Sequence, residues 1–562
     1  MAKSFFGLFQ TAQPDEPLAN VKAISAWAAN LPANDPMGGV MAMIHLLEET
    51  STKQPQVTVN RILALLTLDR LSLPLQTHLQ TQYRLPALSD DVRQHLWYAR
   101  NDLARWLAYG YEQIYESSRN QPEEKKIREL LHGVFSRMFH YRGVQAKQGL
   151  FRYEQWIPAR WKFLHAAYKE AADLGIATVP FALADNAQPS EPRSAEQEYL
   201  QFLLQQRINT GNLSVPQIEL AAQWLREWVP ALKLTATPTP DAPHWLLDLG
   251  KSEGLFAPRA GQASSGVLYL DITPLRTKLT ALIASTSGQL VPSAAKADVR
   301  EIKERLALAK RLDLLWLPNA RPLPRRGERR TDERAILVAP GWNAIAILMR
   351  EARPWRPHDP YKYTFDDAAE LVALGRAQAQ KKDAANVKEN LHPDRRGWQV
   401  LDTSESGCRI QSSTRNAANL QIGDLLGLLL EGDSRWRIGI VRRLKRRTAE
   451  HTELGIEIIA ENTVLVMPEP VATRDTGYSV NGTDVSSKRQ AFDALYVPPQ
   501  QRPNLAPVRS LVLPTAQFSP GRMLMVKLEG LNHQIRLAVT IEQTREWVWT
   551  TYEPLVEPPP PP

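Results

Sequence analysis

Asp402, Ser404 and Gly407 stand at the spacing D-x-S-x-x-G between two short β-type runs. A carboxylate in a strand-connecting turn accepts hydrogen bonds from a guanine Watson–Crick edge or from an arginine that grips a ligand. A serine hydroxyl donates to a base edge or a phosphate oxygen. A glycine lets the backbone turn with positive φ and approach a ligand closely. The same three residues would also serve an Asx-turn that ends a strand. Downstream, residues 435–447 (RWRIGIVRRLKRR) hold seven basic side chains and no acid, in a chain whose formal net charge is +8. The rest of the chain is therefore nearly neutral. Strand alternation sets Trp436, Ile438 and Ile440 on one face and Arg435, Arg437 and Val441 on the other, so Arg437 can reach a ligand while Trp436 packs inward. Such a run suits an anionic partner (a dinucleotide, nucleic acid or an acidic protein surface), and it equally suits a solvated strand entering a basic turn. Residues 321–334 carry six arginines against three acids, with Pro322 and Pro324, and read as an exposed loop.

Other chemistries find no support. There is no G-x-x-x-x-G-K-[ST], no dinucleotide-binding glycine fingerprint after a strand and no H-E-x-x-H. The lone cysteine, Cys408, excludes an internal disulfide and a structural zinc site; with no basic partner in view it reads as a small hydrophobe. His45 and Glu48 are one turn apart in a hydrophobic helix, and His132 and His140 lie on an aromatic-rich one; all read as structural. Trp97, Trp106, Trp156, Trp161, Trp224 and Trp228 fall at helical spacings, as core residues do. No catalytic residue and no metal site is expected.

The elements that position the motif come next. A chain of 562 residues suggests three or four domains at about 150 residues each, and 43% hydrophobic with 23% charged residues is globular composition. Residues 1–235 read as an α-helical domain, with Ser89 as an N-cap and S-x-x-Q capping boxes at Ser194/Gln197 and Ser214/Gln217. Residues 236–243 read as a Pro-rich linker and 244–390 as a mixed α/β domain, with helices over 274–284, 298–312 and 366–390. From 391 to 556 short strands recur between turn signals, as in an antiparallel barrel or sandwich; 557–562 is a proline tail. The fold class expected is multidomain α+β. The longest apolar runs fall far short of the roughly 18 residues of a spanning helix, so a cytoplasmic protein without membrane insertion is expected.

The motif, followed by Ile422-Gly-Asp-Leu, Arg437-Ile-Gly-Ile-Val-Arg-Arg and Leu454-Gly-Ile-Glu-Ile-Ile, resembles the PilZ domain, a small β-barrel that binds cyclic di-GMP in bacteria. The resemblance covers residues 394–462, in the C-terminal part only. In that family D/N-x-S-x-x-G is one half of the ligand signature. The other is R-x-x-x-R on a segment before the first strand, because arginine forks suit the two phosphates and two guanines of the ligand. Shortly upstream of Asp402, Arg376 has Gln380 where its partner would stand. The nearest paired arginines are Arg395 and Arg396. Arg350, Arg353 and Arg356 are more distant, and Arg442 and Arg446 keep the spacing but follow the motif.

The resemblance implies a non-enzymatic cyclic di-GMP receptor. It would bind through Asp402, Ser404 and Gly407, with Arg395 and Arg396 as substitute grips and Arg437, Arg442 and Arg446 next in line. Cyclic di-GMP is the ligand, with no separate cofactor. Binding would alter contact with an unidentified protein partner, in motility or surface-structure control. A ligand-free barrel used for protein contact and a nucleic-acid-binding barrel using residues 435–447 are the alternatives.

Overall fold

The computed structural model describes residues 16–53, 57–85, 88–119, 125–183, 191–258, 266–289, 296–318, 328–351, 397–471 (apart from 414, 418, 432, 434, 435, 449, 450 and 462), 490–499, 508–528 and 531–555. Contacts divide the chain into two units, Met1–Pro322 and Leu323–Pro562. The helix expected over 366–390 and the proline tail lie outside the described residues.

The first unit opens with eight helices: α1 (Val21–Ala28), α2 (Pro36–Lys53), α3 (Val59–Tyr83), α4 (Asp90–Ser118), α5 (Lys125–Phe151), α6 (Pro158–Asp173), α7 (Ala195–Arg207) and α8 (Val215–Trp228). Both capping boxes form: Ser194 Oγ accepts from the Gln197 N–H at 3.2 Å while Gln197 Oε1 accepts from the Ser194 N–H at 3.1 Å, and Ser214 pairs with Gln217 in the same way. Trp97, Trp161, Trp224 and Trp228 are buried in the helical core, and Trp106 and Trp156 pack against it. Asp69 is fully buried there. Its carboxylate accepts from Tyr111 and Tyr141, each at 2.6 Å, and from Arg137 Nε at 2.8 Å, the partners a desolvated charge requires. His140 Nδ1 lies 3.3 Å from Glu198, whereas His45 is on the exposed face of α2.

A three-stranded antiparallel sheet in the order β1-β3-β2 follows, from β1 (Leu234–Thr235), β2 (His244–Leu247) and β3 (Leu268–Asp271); then come α9 (Thr273–Gly288) and α10 (Lys296–Trp316). Trp245, Leu247, Leu312 and Trp316 belong to the same core as the eight helices, and Trp245 Nε1 donates to the Trp316 carbonyl at 2.7 Å. Residues 236–243 therefore join β1 to β2 within one unit rather than separating two domains. The separate middle domain expected over 244–390 is likewise divided: its first part extends the helical core, and residues 328–351 belong to the second unit.

That unit begins with β4 (Arg330–Thr331), β5 (Ile336–Pro340) and α11 (Gly341–Glu351). Five strands follow: β6 (Trp398–Ser404), β7 (Gly407–Ser412), β8 (Leu425–Leu430), β9 (Arg437–Arg446) and β10 (Thr452–Ala460). The sheet order is β4-β6-β7-β10-β9-β8-β5. Its two end strands are successive parts of one segment. Ala335 bridges Gln399, and its carbonyl accepts from the Glu431 N–H at 2.9 Å, so the sheet closes into an antiparallel barrel through that residue. Leu444, Leu454, Ile410 and Val400 pair in one row across β9, β10, β7 and β6, and all four are fully buried.

The remaining strands are β11 (Val464–Val466), β12 (Glu469–Pro470), β13 (Ala494–Val497), β14 (Ser510–Pro514), β15 (Met523–Leu528), β16 (Leu531–Gln543) and β17 (Trp547–Pro554). Their order is β11-β13-β14-β17-β16-β15-β12. Again one short segment supplies both end strands. Taken in chain order, both barrels run first–second–third–sixth–fifth–fourth and back to the first. The second barrel has its own core of Ala494, Leu511, Leu513, Leu524, Val526, Ile535 and Leu537. A further core is shared: Leu425, Ile438 and Ile440 of the first barrel pack with Leu495, Val512, Trp547 and Trp549 of the second.

Candidate functional site

Beside the buried row, one residue away on β9, β10 and β7 and two on β6, lies an outward row: Arg443 pairs with Gly455, Gly455 with Arg409, and Arg409 with Asp402. Paired residues in an antiparallel ladder share a face. A bulge between Val400 and Asp402 keeps Asp402 in this row, where it is 8% exposed. Its Oδ1 accepts from Arg329 Nη1 at 2.5 Å and its Oδ2 from Arg409 Nε at 2.7 Å. One buried carboxylate thus orients two half-exposed guanidinium groups.

Ser404 and Gly407 flank the two-residue turn of the β6–β7 hairpin, and Ser404 Oγ donates to the Gly407 carbonyl at 3.1 Å. The expected positive φ at Gly407 is not adopted; the left-handed glycines of this barrel region are Gly341 and Gly423. Glycine is required here for a different reason. A Cβ at 407 would lie 2.3 Å from the Ile456 carbonyl oxygen on β10. Gly455 opens a gap in the outward row between Arg443 and Arg409.

The gap is electropositive. Burial holds Arg443 below the usual arginine range, and Arg447, Arg329 and Arg409 press in the same direction against Glu453 alone. Lys445 is lowered as well, by burial first and then by Arg443 and Arg447. Several cations facing too few carboxylates form a seat for an anion.

The other expected residues are differently placed. Arg442 Nε donates to Glu457 at 2.7 Å, while Nη1 and Nη2 donate to the two carboxylate oxygens of Glu542 at 2.6 Å each; these carboxylates raise its pKa against the effect of burial. Arg446 is buried and donates to the Ala417 carbonyl at 3.4 Å. Arg437 pairs with Asp433 at 3.1 Å. The expected alternation also fails on β9, where residues 438–441 are all buried because a barrel covers each face. Arg395, Arg396 and Arg435 lie outside the described residues. The basic strand therefore presents Arg443, Lys445 and Arg447 outward, not a continuous cationic stripe.

The residue that sequence reasoning passed over is Arg329. It completes R-x-x-x-R with Arg325, as Arg330 does with Arg326, but it lies 73 residues before its carboxylate partner. α11 and residues 352–396 intervene between the first strand of the barrel and the second. The signal is the arginine-rich run 321–334, which lies too far upstream of Asp402 for spacing alone to pair the two.

Among the described residues no group of three or more His, Cys, Asp or Glu could hold a metal ion, and no helix is long and apolar enough to cross a membrane. Burial pushes the Cys408 thiol up to about 12, with the Asp402 charge adding to it and Arg437 opposing. At pH 8 roughly one thiol in ten thousand is then ionised. Iodoacetamide at that pH should leave folded Cys408 unmodified over a period that fully alkylates the urea-unfolded chain, read by intact mass. Equal rates in the two states would contradict the raised thiol pKa.

Two family models match the chain. That for the N-terminal domain of the cyclic-di-GMP receptor FimW matches residues 22–240, and that for its middle PilZ domain matches residues 328–464. Together they span more than half of the chain. The PilZ match starts well before residue 394 because the first strand is separated from the second in sequence. It stops where the second barrel begins, so the PilZ barrel is a middle domain and not the C-terminal one. Comparison with curated proteins and with solved structures returns no match.

Proposed function

The chain belongs to the cyclic-di-GMP receptor FimW family, and on that premise we propose that cyclic di-GMP is held on the outward face of the first barrel by Arg329, Asp402, Ser404, Gly407, Arg409 and Arg443. The observation that carries this reading is the bond from Arg329 to Asp402, which brings an arginine of the R-x-x-x-R run onto the carboxylate of D-x-S-x-x-G. Each half of the ligand presents an anionic phosphate and a guanine whose O6 and N7 accept. Guanidinium forks match both, and a carboxylate takes the donors of the guanine Watson–Crick edge. Asp402 preorients two such forks before the ligand arrives, which lowers the ordering cost of binding. Gly455 leaves room between Arg409 and Arg443 for a phosphate, and Arg443 has Arg447, Arg329 and Arg409 about it against Glu453, an excess of cations that an anion relieves.

The family is one of receptors, binding proteins and not catalysts, and we read this chain in the same way: occupancy alters its contact with a protein partner. The nucleic-acid alternative loses weight because Arg442, Arg446 and Arg437 are engaged within the protein.

The test is calorimetric titration of the full chain with cyclic di-GMP, with GMP and a short oligonucleotide as controls. Arg329→Ala is expected to weaken binding at least tenfold, the cost of about one charge-assisted hydrogen bond. The Arg395→Ala/Arg396→Ala double variant is expected to bind as the parent does. The reverse pattern would return the grip to the segment just before β6.

A further inference from the structure

The shared strand order allows the two barrels to be compared strand by strand. In the first, the second, third, sixth and fifth strands carry the outward row Asp402, Arg409, Gly455 and Arg443. In the second, the same strands are β13, β14, β17 and β16, and one paired row across them is Leu495, Val512, Trp549 and Glu542. Leu511 and Leu513, on either side of Val512, point into that barrel's own core, so this row also faces outward. Its three apolar members are at most 5% exposed and pack with Ile438 and Ile440 of the first barrel. A face that is open and cationic in one barrel is apolar and covered in the other. Its second strand and third strand also lack a D-x-S-x-x-G hairpin.

This docking face begins on the same row as the ligand motif. Ser404 pairs with Gly407, Gly407 with Glu457, and Glu457 with Ile440. Ile440 belongs to the core shared with the second barrel. Arg442 stands at this boundary as the extra residue of a bulge, since Gly455 pairs with Arg443 while Ile456 pairs with Val441. It is held at once by Glu457, which lies opposite Gly407, and by Glu542 of the second barrel.

We infer that residues 464–555 are a second copy of the barrel that has turned its nucleotide face into a dock, and that the Arg442–Glu542 clamp at that dock sets the affinity of the nucleotide site on the first barrel. Arg442 is a positioning residue in this account. An anionic ligand beside Gly407 meets the Glu457 carboxylate, whose repulsion Arg442 offsets; Glu542 draws part of that cation away. Removing Glu542's charge leaves more of Arg442 for Glu457, and removing Arg442 leaves two carboxylates unopposed. By reciprocity, nucleotide occupancy shifts the hold on the second barrel by the same factor.

The inference rests on the site proposed above, and titration of the full chain with cyclic di-GMP tests both separately. Glu542→Gln should bind about threefold to tenfold more tightly than the parent, and Arg442→Gln about tenfold more weakly, the size of one partly screened charge. Thermal unfolding without ligand is measured alongside. Both substitutions break the same ion pair, so a merely structural pair would lower stability in both and move affinity in one direction or not at all. Opposite shifts support the coupling. Affinities that are unchanged, or that move together, overturn it while leaving the site intact. A parent chain that does not bind overturns site and coupling together. If Arg442→Gln does not fold, the sign for Glu542→Gln decides alone.

Discussion

Replacing Asp402 with alanine should weaken cyclic di-GMP binding by about a hundredfold while leaving the fold in place. Asp402 is the shared acceptor for Arg329 and Arg409, at 2.5 and 2.7 Å. Without it neither guanidinium is oriented, and the guanine edge loses its carboxylate acceptor. Each charge-assisted hydrogen bond is worth about 1.5–3 kcal/mol, and two at the low end of that range, about 3 kcal/mol, correspond to about a hundredfold in affinity. The stability change should be small, about 1 kcal/mol or less, because the two arginines are half exposed and can be hydrated once released. Asp402→Asn keeps the shape and removes the charge, so it should fall between the parent and alanine. Titration with parallel thermal unfolding reads both quantities. A fully retained affinity in Asp402→Ala would remove the carboxylate from the site.

Gly407→Ala should do the opposite in kind, damaging the barrel first and binding as a consequence. The new methyl group would sit 2.3 Å from the Ile456 carbonyl oxygen. That oxygen is backbone in a paired strand, so no rotamer change relieves the clash, and β7 must move away from β10. Overpacking of this kind costs about 1–3 kcal/mol, and the displaced hairpin takes Ser404 and the Asp402 end of β6 with it. A lowered unfolding temperature together with lost nucleotide binding is expected. Gly455→Ala makes a useful contrast, since its methyl group would meet the Arg443 Cβ at 3.1 Å, tighter than usual but not against backbone. It should spare stability more than Gly407→Ala does and act mainly by narrowing the gap between Arg443 and Arg409.

The sequence was most readable where structure is local. Strands 425–430 and 523–528 keep the bounds that their apolar runs suggest, and both capping boxes formed as their spacing predicts. The D-x-S-x-x-G hairpin was also legible, because a two-residue turn fixes its register within a few residues. What stayed hidden is non-local. Residues 330–340 close the barrel from the far side of α11 and residues 352–396, so the first strand looked like part of a middle domain. Arg329 looked like a loop arginine for the same reason. Arg442 and Arg446 matched the R-x-x-x-R spacing, yet spacing does not reveal that Glu542 lies 100 residues on or that Ala417 covers Arg446. β8 and β9 do not alternate, because the face turned away from the barrel interior is covered too: Ile438 and Ile440 of β9 pack with the second barrel, and Gly427 of β8 faces Ile345 of α11; period-two reasoning needs one solvated face. The duplication of the barrel is visible only as strand order.

Hydrogen–deuterium exchange on the full chain, with and without cyclic di-GMP, tests the central placement most directly, because it locates the ligand without a substitution. The account predicts added protection in residues 328–334 around Arg329, and in 400–411 around Asp402, Ser404, Gly407 and Arg409. Protection confined to residues outside 328–464, or no change at saturating nucleotide, would contradict it.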